Sequence, residues 1–262
     1  MMSNITIVVP VYEYSDELKA LYKRAVGSIP TDDNGKSLYP VMLVGPKDVM
    51  EKYKVEAFEK VIDFTYTKND DTDFPTQINV AAKACGTPYF SILELDDEYN
   101  KNWFKNVEEH IEKMPEVPFF LPLTELFDAS GKDSIPLGFA NEIALTTSFS
   151  DDIGHINVDE LMEFSDFSCT GGVFRVQEFL TIGGLKNTLK FVFWYEFLLR
   201  AAHNHFGAYV IPKLGYKHNI NRKGSFMETI SSTVDKDEAK FWMDTAKQEY
   251  FFTEARVKEY KK

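Results

Sequence analysis

The segment Tyr89-Phe90-Ser91-Ile92-Leu93-Glu94-Leu95-Asp96-Asp97 decides how the rest of the chain is read. Its first half is apolar and aromatic, as in a strand buried on both faces, and it runs straight into three carboxylates. Ligands of open α/β sheets gather at the carboxyl ends of strands, so an acidic tip there is a candidate site. Hard oxygen donors in that position suit Mg2+ or Mn2+. Acidic strand ends are also common as solvated turns or helix caps, and these letters alone leave both readings open.

Upstream, the β-branched run Ile5 to Val11 predicts a first buried strand. Ser15 can cap a helix with Asp16 and Glu17 at its positive end and Leu18, Leu21, Tyr22, Ala25 and Ile29 on one face before Pro30. Val41 to Val44 reads as a second strand, Lys47 to Lys60 as a weaker helix and Val61 to Tyr66 as a third strand. Thr76 can cap a helix that Gly86 is placed to end. The alternation predicts a parallel sheet wrapped by helices. Downstream, Asn102 to Met114 reads as a surface helix and Phe119 to Leu123 as a strand. Phe127 to Phe167, rich in Asp, Ser and Gly, reads as an extended connection, either a flap or a plain surface loop. Phe193 to His203 predicts a helix, Tyr209 to Ile211 a final strand, Lys217 to Phe226 a polar loop and Asp237 to Tyr260 a long C-terminal helix.

With 262 residues the chain can bury a real core in one large domain. Its formal charge of −12 disfavours broad binding to polyanions or anionic membranes and suits a bound divalent cation. Met1 to Val11 has neither a basic region nor a long apolar stretch, so a soluble cytoplasmic protein without stable membrane insertion is expected. Cys85 and Cys169 are then expected to be free thiols. The letters say nothing about oligomeric state.

Ile7-Val8-Val9-Pro10-Val11-Tyr12 is similar to the opening strand and nucleotide-contacting turn of the family 2 glycosyltransferases, which have the GT-A fold. Asn79, Gly86 and Tyr89, leading into Glu94-Leu95-Asp96-Asp97, resemble that family's helix, strand and DxD motif. Thr170-Gly171-Gly172-Val173-Phe174, Gly183-Gly184-Leu185 and Tyr195-Glu196-Phe197-Leu198-Leu199-Arg200 resemble its acceptor-side signature. The matches keep the family's order over about residues 5 to 226, and order among distant motifs is harder to obtain by chance than any single match. Phe193-Trp194-Tyr195-Glu196, with Tyr216, His218, Arg222 and Ser225, also resembles glycosyltransferases encoded by large tailed bacteriophages.

The resemblance implies an α/β GT-A fold, a Rossmann-like mixed sheet flanked by helices. A nucleotide-sugar half would span 1–100, an acceptor-side half 101–226 and a C-terminal helical extension 227–262. It implies transfer of a sugar, with inversion, from a nucleotide-diphosphate donor, by family habit a UDP-sugar, to an acceptor hydroxyl. The acceptor would be a surface glycan or, for a phage enzyme in its host's cytoplasm, a hydroxymethylated DNA base. Pro10, Val11, Tyr12, Glu13, Asp71, Asn79, Glu94, Asp97 and Arg222 would bind the nucleotide sugar, and Asp96 and His218 would hold Mn2+ or Mg2+. Gly171, Gly172, Trp194, Tyr195 and Arg200 would line the acceptor and donor pocket, with Glu196 as general base.

Several positions depart from the family pattern. Glu94 stands where the family has the first Asp of DxD, and Val44-Gly45-Pro46-Lys47 replaces the usual acidic residues after the second strand, leaving Asp70 or Asp71 for base recognition. Phe193 and Trp194 stand at the family's Glu-Asp pair, so Glu196 is displaced by about one helical step, and its spacing from Arg200 is also that of a helix ion pair. These departures keep open a second class, a noncatalytic sugar-nucleotide or glycan-binding module. A nucleotidyltransferase would need a Gly-rich basic loop near the first strand, which Pro10-Val11-Tyr12-Glu13 does not offer.

Overall fold

Strand β1 (Ile5–Pro10) serves two cores at once: Ile5, Ile7 and Val9 face one and Val8 the other. A strand covered on both faces has no polar side to show, which is why its sequence is an unbroken apolar run. The computed structural model describes residues 3–55, 63–67, 73–131, 133–149 and 152–252. After β1 come α1 (Asp16–Gly27), β2 (Val41–Pro46), α2 (Lys47–Val55), β3 (Asp63–Thr67), α3 (Phe74–Ala84), β4 (Tyr89–Ile92) and β5 (Glu98–Tyr99). The chain continues through α4 (Trp103–Lys113), β6 (Phe119–Asp128), β7 (Ile135–Ala140), β8 (His155–Ile156), α5 (Val158–Glu163), β9 (Val173–Arg175) and α6 (Val176–Thr181). It closes with α7 (Phe193–His203), β10 (Ala208–Ile220), α8 (Phe226–Thr233) and α9 (Lys236–Glu249).

One sheet runs in the order β3-β2-β1-β4-β9-β6-β10-β5, with β7 beside β6 and β8 beside β10. The first four strands are mutually parallel, β6 is parallel to β10, and short β9 is antiparallel to both β4 and β6. This is a mixed α/β architecture with a central, mostly parallel sheet flanked by helices. Apolar residues of α1, α2 and α4 cover one face, among them Tyr22, Tyr53 and Trp103. Those of α3, α6 and α7 cover the other, among them Ile78, Phe179 and Phe197.

Ser15 caps α1 as its sequence predicts, its side chain accepting from the N–H of Leu18. The cap of α3 is Asp73 rather than Thr76, because Asp73 Oδ1 accepts from the N–H of Thr76 and Pro75 fits the first turn, where its missing N–H costs nothing. The strand expected to begin at Tyr89 stops at Ile92 and turns, and the expected loop at 127–167 holds β7, β8 and α5. The largest difference is β10, which extends to Ile220 and so places residues 217–220 on a strand rather than in a loop. At the C-terminus, α8 precedes α9. Ala246 of α9 is buried, and Lys247 Nζ donates to the Met162 carbonyl at 3.1 Å. The part of the expected C-terminal helix beyond residue 252 lies outside the described residues, as do residues 56–62 of the expected second helix and third strand. Among the described residues no helix is long and apolar enough to cross a membrane.

Candidate functional site

Two strand ends make the frame. The β1 strand sits between β2 and β4, so the carboxyl ends of β1 and β4 flank the point where the strand order reverses, the usual ligand crevice of such sheets. Leu93 N–H extends the ladder by donating to the Val8 carbonyl at 2.9 Å, and the chain then turns, with Asp97 N–H donating to the Glu94 carbonyl at 3.2 Å. On the β1 side, Val11 N–H donates to the Val44 carbonyl at 2.8 Å, and Gln77 Nε2 donates to the Val11 carbonyl at 3.0 Å. Pro10 and Val11 are therefore buried framework, while Tyr12 is half-buried and Glu13 exposed at the crevice.

The turn after β4 meets the end of β10. Ligand atoms of Glu94, Asp97 and His218 lie within 4.8 Å of one another. Asn219 fixes this junction: its N–H donates to Asp97 Oδ1 at 2.8 Å and its Nδ2 to the Asp96 carbonyl at 2.5 Å. Asp97 is fully buried; among the described residues its Oδ2 has no partner at full hydrogen-bond geometry, and the nearby Tyr216 hydroxyl opposes the rise of its carboxyl. Burial pushes the Asp97 carboxyl well above the usual carboxylate range, and the charge of Asp96 adds to the effect. Burial likewise pushes Glu94 up to about 8, reinforced by Asp97 and opposed by His218. Two carboxylates and an imidazole, one buried oxygen left unpaired, form a donor set that fits a divalent cation of the Mn2+ or Mg2+ type.

Asp96 is held apart from this group. Its Oδ2 accepts from Arg222 Nε at 2.6 Å, and Arg222 Nη2 reaches the Tyr12 hydroxyl at 3.4 Å. Of the two residues expected to hold the metal, His218 lies in the three-residue group and Asp96 is paired with Arg222; Glu94 and Asp97, expected to contact the nucleotide sugar, are the carboxylates beside His218.

Tyr216 joins the acidic turn to the glycine pair behind it. It is buried, its hydroxyl accepts from the N–H of Glu94 at 3.0 Å, and it lies beside Asp97. Gly171 has φ +68, and a Cβ there would stand 2.3 Å from the Tyr216 ring, so only glycine fits without displacement. The Gly171 carbonyl accepts from Trp103 Nε1 at 2.9 Å and the Gly172 carbonyl from Ser91 Oγ at 2.9 Å. Both glycines thus support the turn from behind. The sequence did not single out Tyr216 or Asn219 as site residues. Alternation along β10 is the signal that could have found Tyr216, since Tyr216 and His218 share one face of that strand.

The residues expected on the acceptor side form a separate buried cluster. Glu196 has 0% exposure, and its two oxygens accept from Arg200 Nε and Nη2, each at 2.8 Å, with Lys186 Nζ 2.9 Å from Oε1. Arg200 also donates to the carbonyls of Ile182 and Gly184. A general base must reach the proton it abstracts, and in this structure the Glu196 carboxylate expected in that role is enclosed by Arg200 and Lys186. Arg200 thereby ties α7 to the 182–184 turn. The Tyr195 hydroxyl donates to the Leu161 carbonyl at 2.7 Å, and Trp194 stacks on Phe174 at 5.2 Å between ring centroids. Asn79 is also structural: Nδ2 donates to the Leu185 carbonyl at 2.7 Å and Oδ1 accepts from the Leu185 N–H at 2.8 Å. Asp70 and Asp71 lie outside the described residues.

No protein-family model matches the sequence, and no curated protein matches it. Among solved structures, the chain resembles TarS 1-349 of S. aureus in complex with UDP-GlcNAc, with a TM-score of 0.64 and 14% identity, covering 96% of this chain and 68% of that one. It also resembles the mannosyltransferase PcManGT from Pyrobaculum calidifontis in complex with GDP-Man and Mn2+, with a TM-score of 0.59 and 11% identity, covering 84% of this chain and 58% of that one. At such identities the likeness to both is one of fold.

Proposed function

We propose that the chain is a metal-dependent glycosyltransferase that moves a sugar from a nucleotide-diphosphate donor to an acceptor hydroxyl. The observation that carries this reading is the convergence of Glu94, Asp97 and His218, with one buried carboxylate oxygen unpaired, beside the β1–β4 crevice. The nucleotide sugars named in the neighbouring structures, and the Mn2+ in one of them, support it.

Glu94, Asp97 and His218 would hold the ion, whose chemistry is to neutralise the charge that develops on a departing diphosphate. Tyr12 and Glu13, on the turn after β1, flank the place for the nucleotide, and the guanidinium of Arg222 offers paired N–H donors of the kind phosphates accept. The buried bonds from Tyr216 and Asn219 keep the acidic turn in one conformation, so the donor meets a preformed site. Transfer is by direct displacement with inversion, in which the acceptor hydroxyl gives its proton to a group other than Glu196. The formal charge of −12 favours a neutral glycan acceptor over DNA.

The test is incubation of the protein with UDP- and GDP-sugars, each with Mn2+, Mg2+ or chelator. Metal-dependent release of nucleoside diphosphate is expected. Folded protein that neither binds nor hydrolyses any donor would overturn the reading. A noncatalytic sugar-nucleotide-binding module is the second reading, favoured by the sealed state of Glu196, and tight donor binding without turnover would select it.

A further inference from the structure

We propose that Arg222 is an exchangeable counter-cation, holding the Asp96 carboxylate when no donor is bound and giving it up for the donor diphosphate, so that nucleotide and metal bind cooperatively. The inference rests on the site being one for a nucleoside diphosphate and a divalent cation.

Arg222 stands between two segments of the crevice. It bonds Asp96 on the turn after β4 and touches the Tyr12 hydroxyl on the turn after β1, so it bridges the two segments between which a nucleotide must lie. The pair is largely out of water, with 14% of the Arg222 side chain and 11% of that of Asp96 exposed. A guanidinium that suits a carboxylate also suits a phosphate, so the two anions are rivals for the same donors.

Asp96 stands apart from the carboxylates on either side of it. It lies between Glu94 and Asp97 in the chain, yet its carboxylate is not in the three-residue group. While Arg222 is paired with it, part of the negative charge that Asp96 places on the ion site is offset. Once a phosphate takes over the arginine, that charge is released beside Glu94 and Asp97.

Arg222 also has freedom to move. Arg222 belongs to the short link between β10 and α8, in which Asn221 and Gly224 have positive φ (60° and 78°) and the following helix α8 contains no buried residue. Swinging this link disturbs little packing, whereas Asp96 sits on a turn fixed by Asn219 and by Arg24 Nη2, which donates to the Asp96 carbonyl at 2.7 Å.

Titrations of Mn2+ alone, and of Mn2+ with UDP or GDP present, on the parent and the Arg222→Gln, Arg222→Lys and Asp96→Asn variants test this. Arg222→Gln is expected to bind Mn2+ alone about tenfold more tightly than the parent, the scale of one charge-assisted hydrogen bond. Its gain in Mn2+ affinity from added nucleotide should shrink by about the same factor, as linkage requires. Arg222→Lys keeps the charge and should stay near the parent, and adding Asp96→Asn to Arg222→Gln should erase the tightening. Equal or weaker Mn2+ binding by Arg222→Gln overturns the exchange while leaving the proposed function standing. Absence of Mn2+ binding in every variant overturns both.

Discussion

At the start of α7, Glu196 is sealed from solvent with both oxygens bonded to Arg200 and Lys186 close by, whereas at the end of β4, Glu94 and Asp97 crowd together with one imidazole and an unpaired oxygen. Burying a carboxylate is costly unless it is paired and hydrogen-bonded, and the two regions meet that cost differently. The α7 cluster is complete within the chain and so acts as a structural tie. The β4 tip is incomplete, and a cation from solution is what would complete it. Satisfaction of the buried charge, rather than its presence, separates the two roles.

The largest expected effect strikes the incomplete region. Asp97→Ala should lower metal-dependent turnover by about a thousandfold, since it removes several kcal/mol of support for transition-state charge. Steady-state kinetics with Mn2+ would check this, and unaltered turnover would erase the contrast. Next in size, Glu196→Gln should cost about 3 kcal/mol of stability in urea unfolding, because it leaves buried cations without their carboxylate. Turnover per folded molecule should fall by less than about tenfold. The reverse pattern, intact stability with turnover lost by orders of magnitude, would restore Glu196 as the base.

Much of this contrast lies beyond what the letters carry. The apolar runs at 5–11 and 89–92 reveal strands covered on both faces, and Ser15 reveals a cap, because burial and capping are local demands. Which of three neighbouring carboxylates gathers with His218 is decided by a turn and by contacts from β10, over 120 residues away in the chain, and no local pattern encodes it. The β10 strand itself is hidden because Pro212 and Gly215 interrupt its alternation and the register slips between Ile211 and Tyr216, so His218 reads as a loop residue. The spacing of Glu196 and Arg200 does announce an ion pair, and the structure adds the burial that makes it structural. Asn79 reads as a ligand contact although its amide is used up by Leu185, a partner 106 residues away.

Acidity offers a smaller effect with a definite sign. The folded protein holds Glu94 protonated up to about pH 8, while the unfolded chain releases that proton in the ordinary carboxylate range. Between those limits the native state binds more protons, so metal-free stability should fall as pH rises through the window toward 8. Mn2+ requires the ionised carboxylates, so its stabilising shift in Tm should grow with pH over the same range. A metal-free protein whose stability rises across that window would contradict the placement of Glu94. The smallest change is Tyr216→Phe, which takes the acceptor from the Glu94 N–H and should cost about 1 kcal/mol in unfolding. It should also weaken Mn2+ binding by about tenfold, the low end for a group that orients metal ligands.

The most direct test of the central claim is the location of manganese in crystals soaked with Mn2+ and UDP, by anomalous scattering. A peak bounded by Glu94, Asp97 and His218 is the expected result. Manganese bound elsewhere on the protein, with those three side chains empty in the presence of nucleotide, would contradict it.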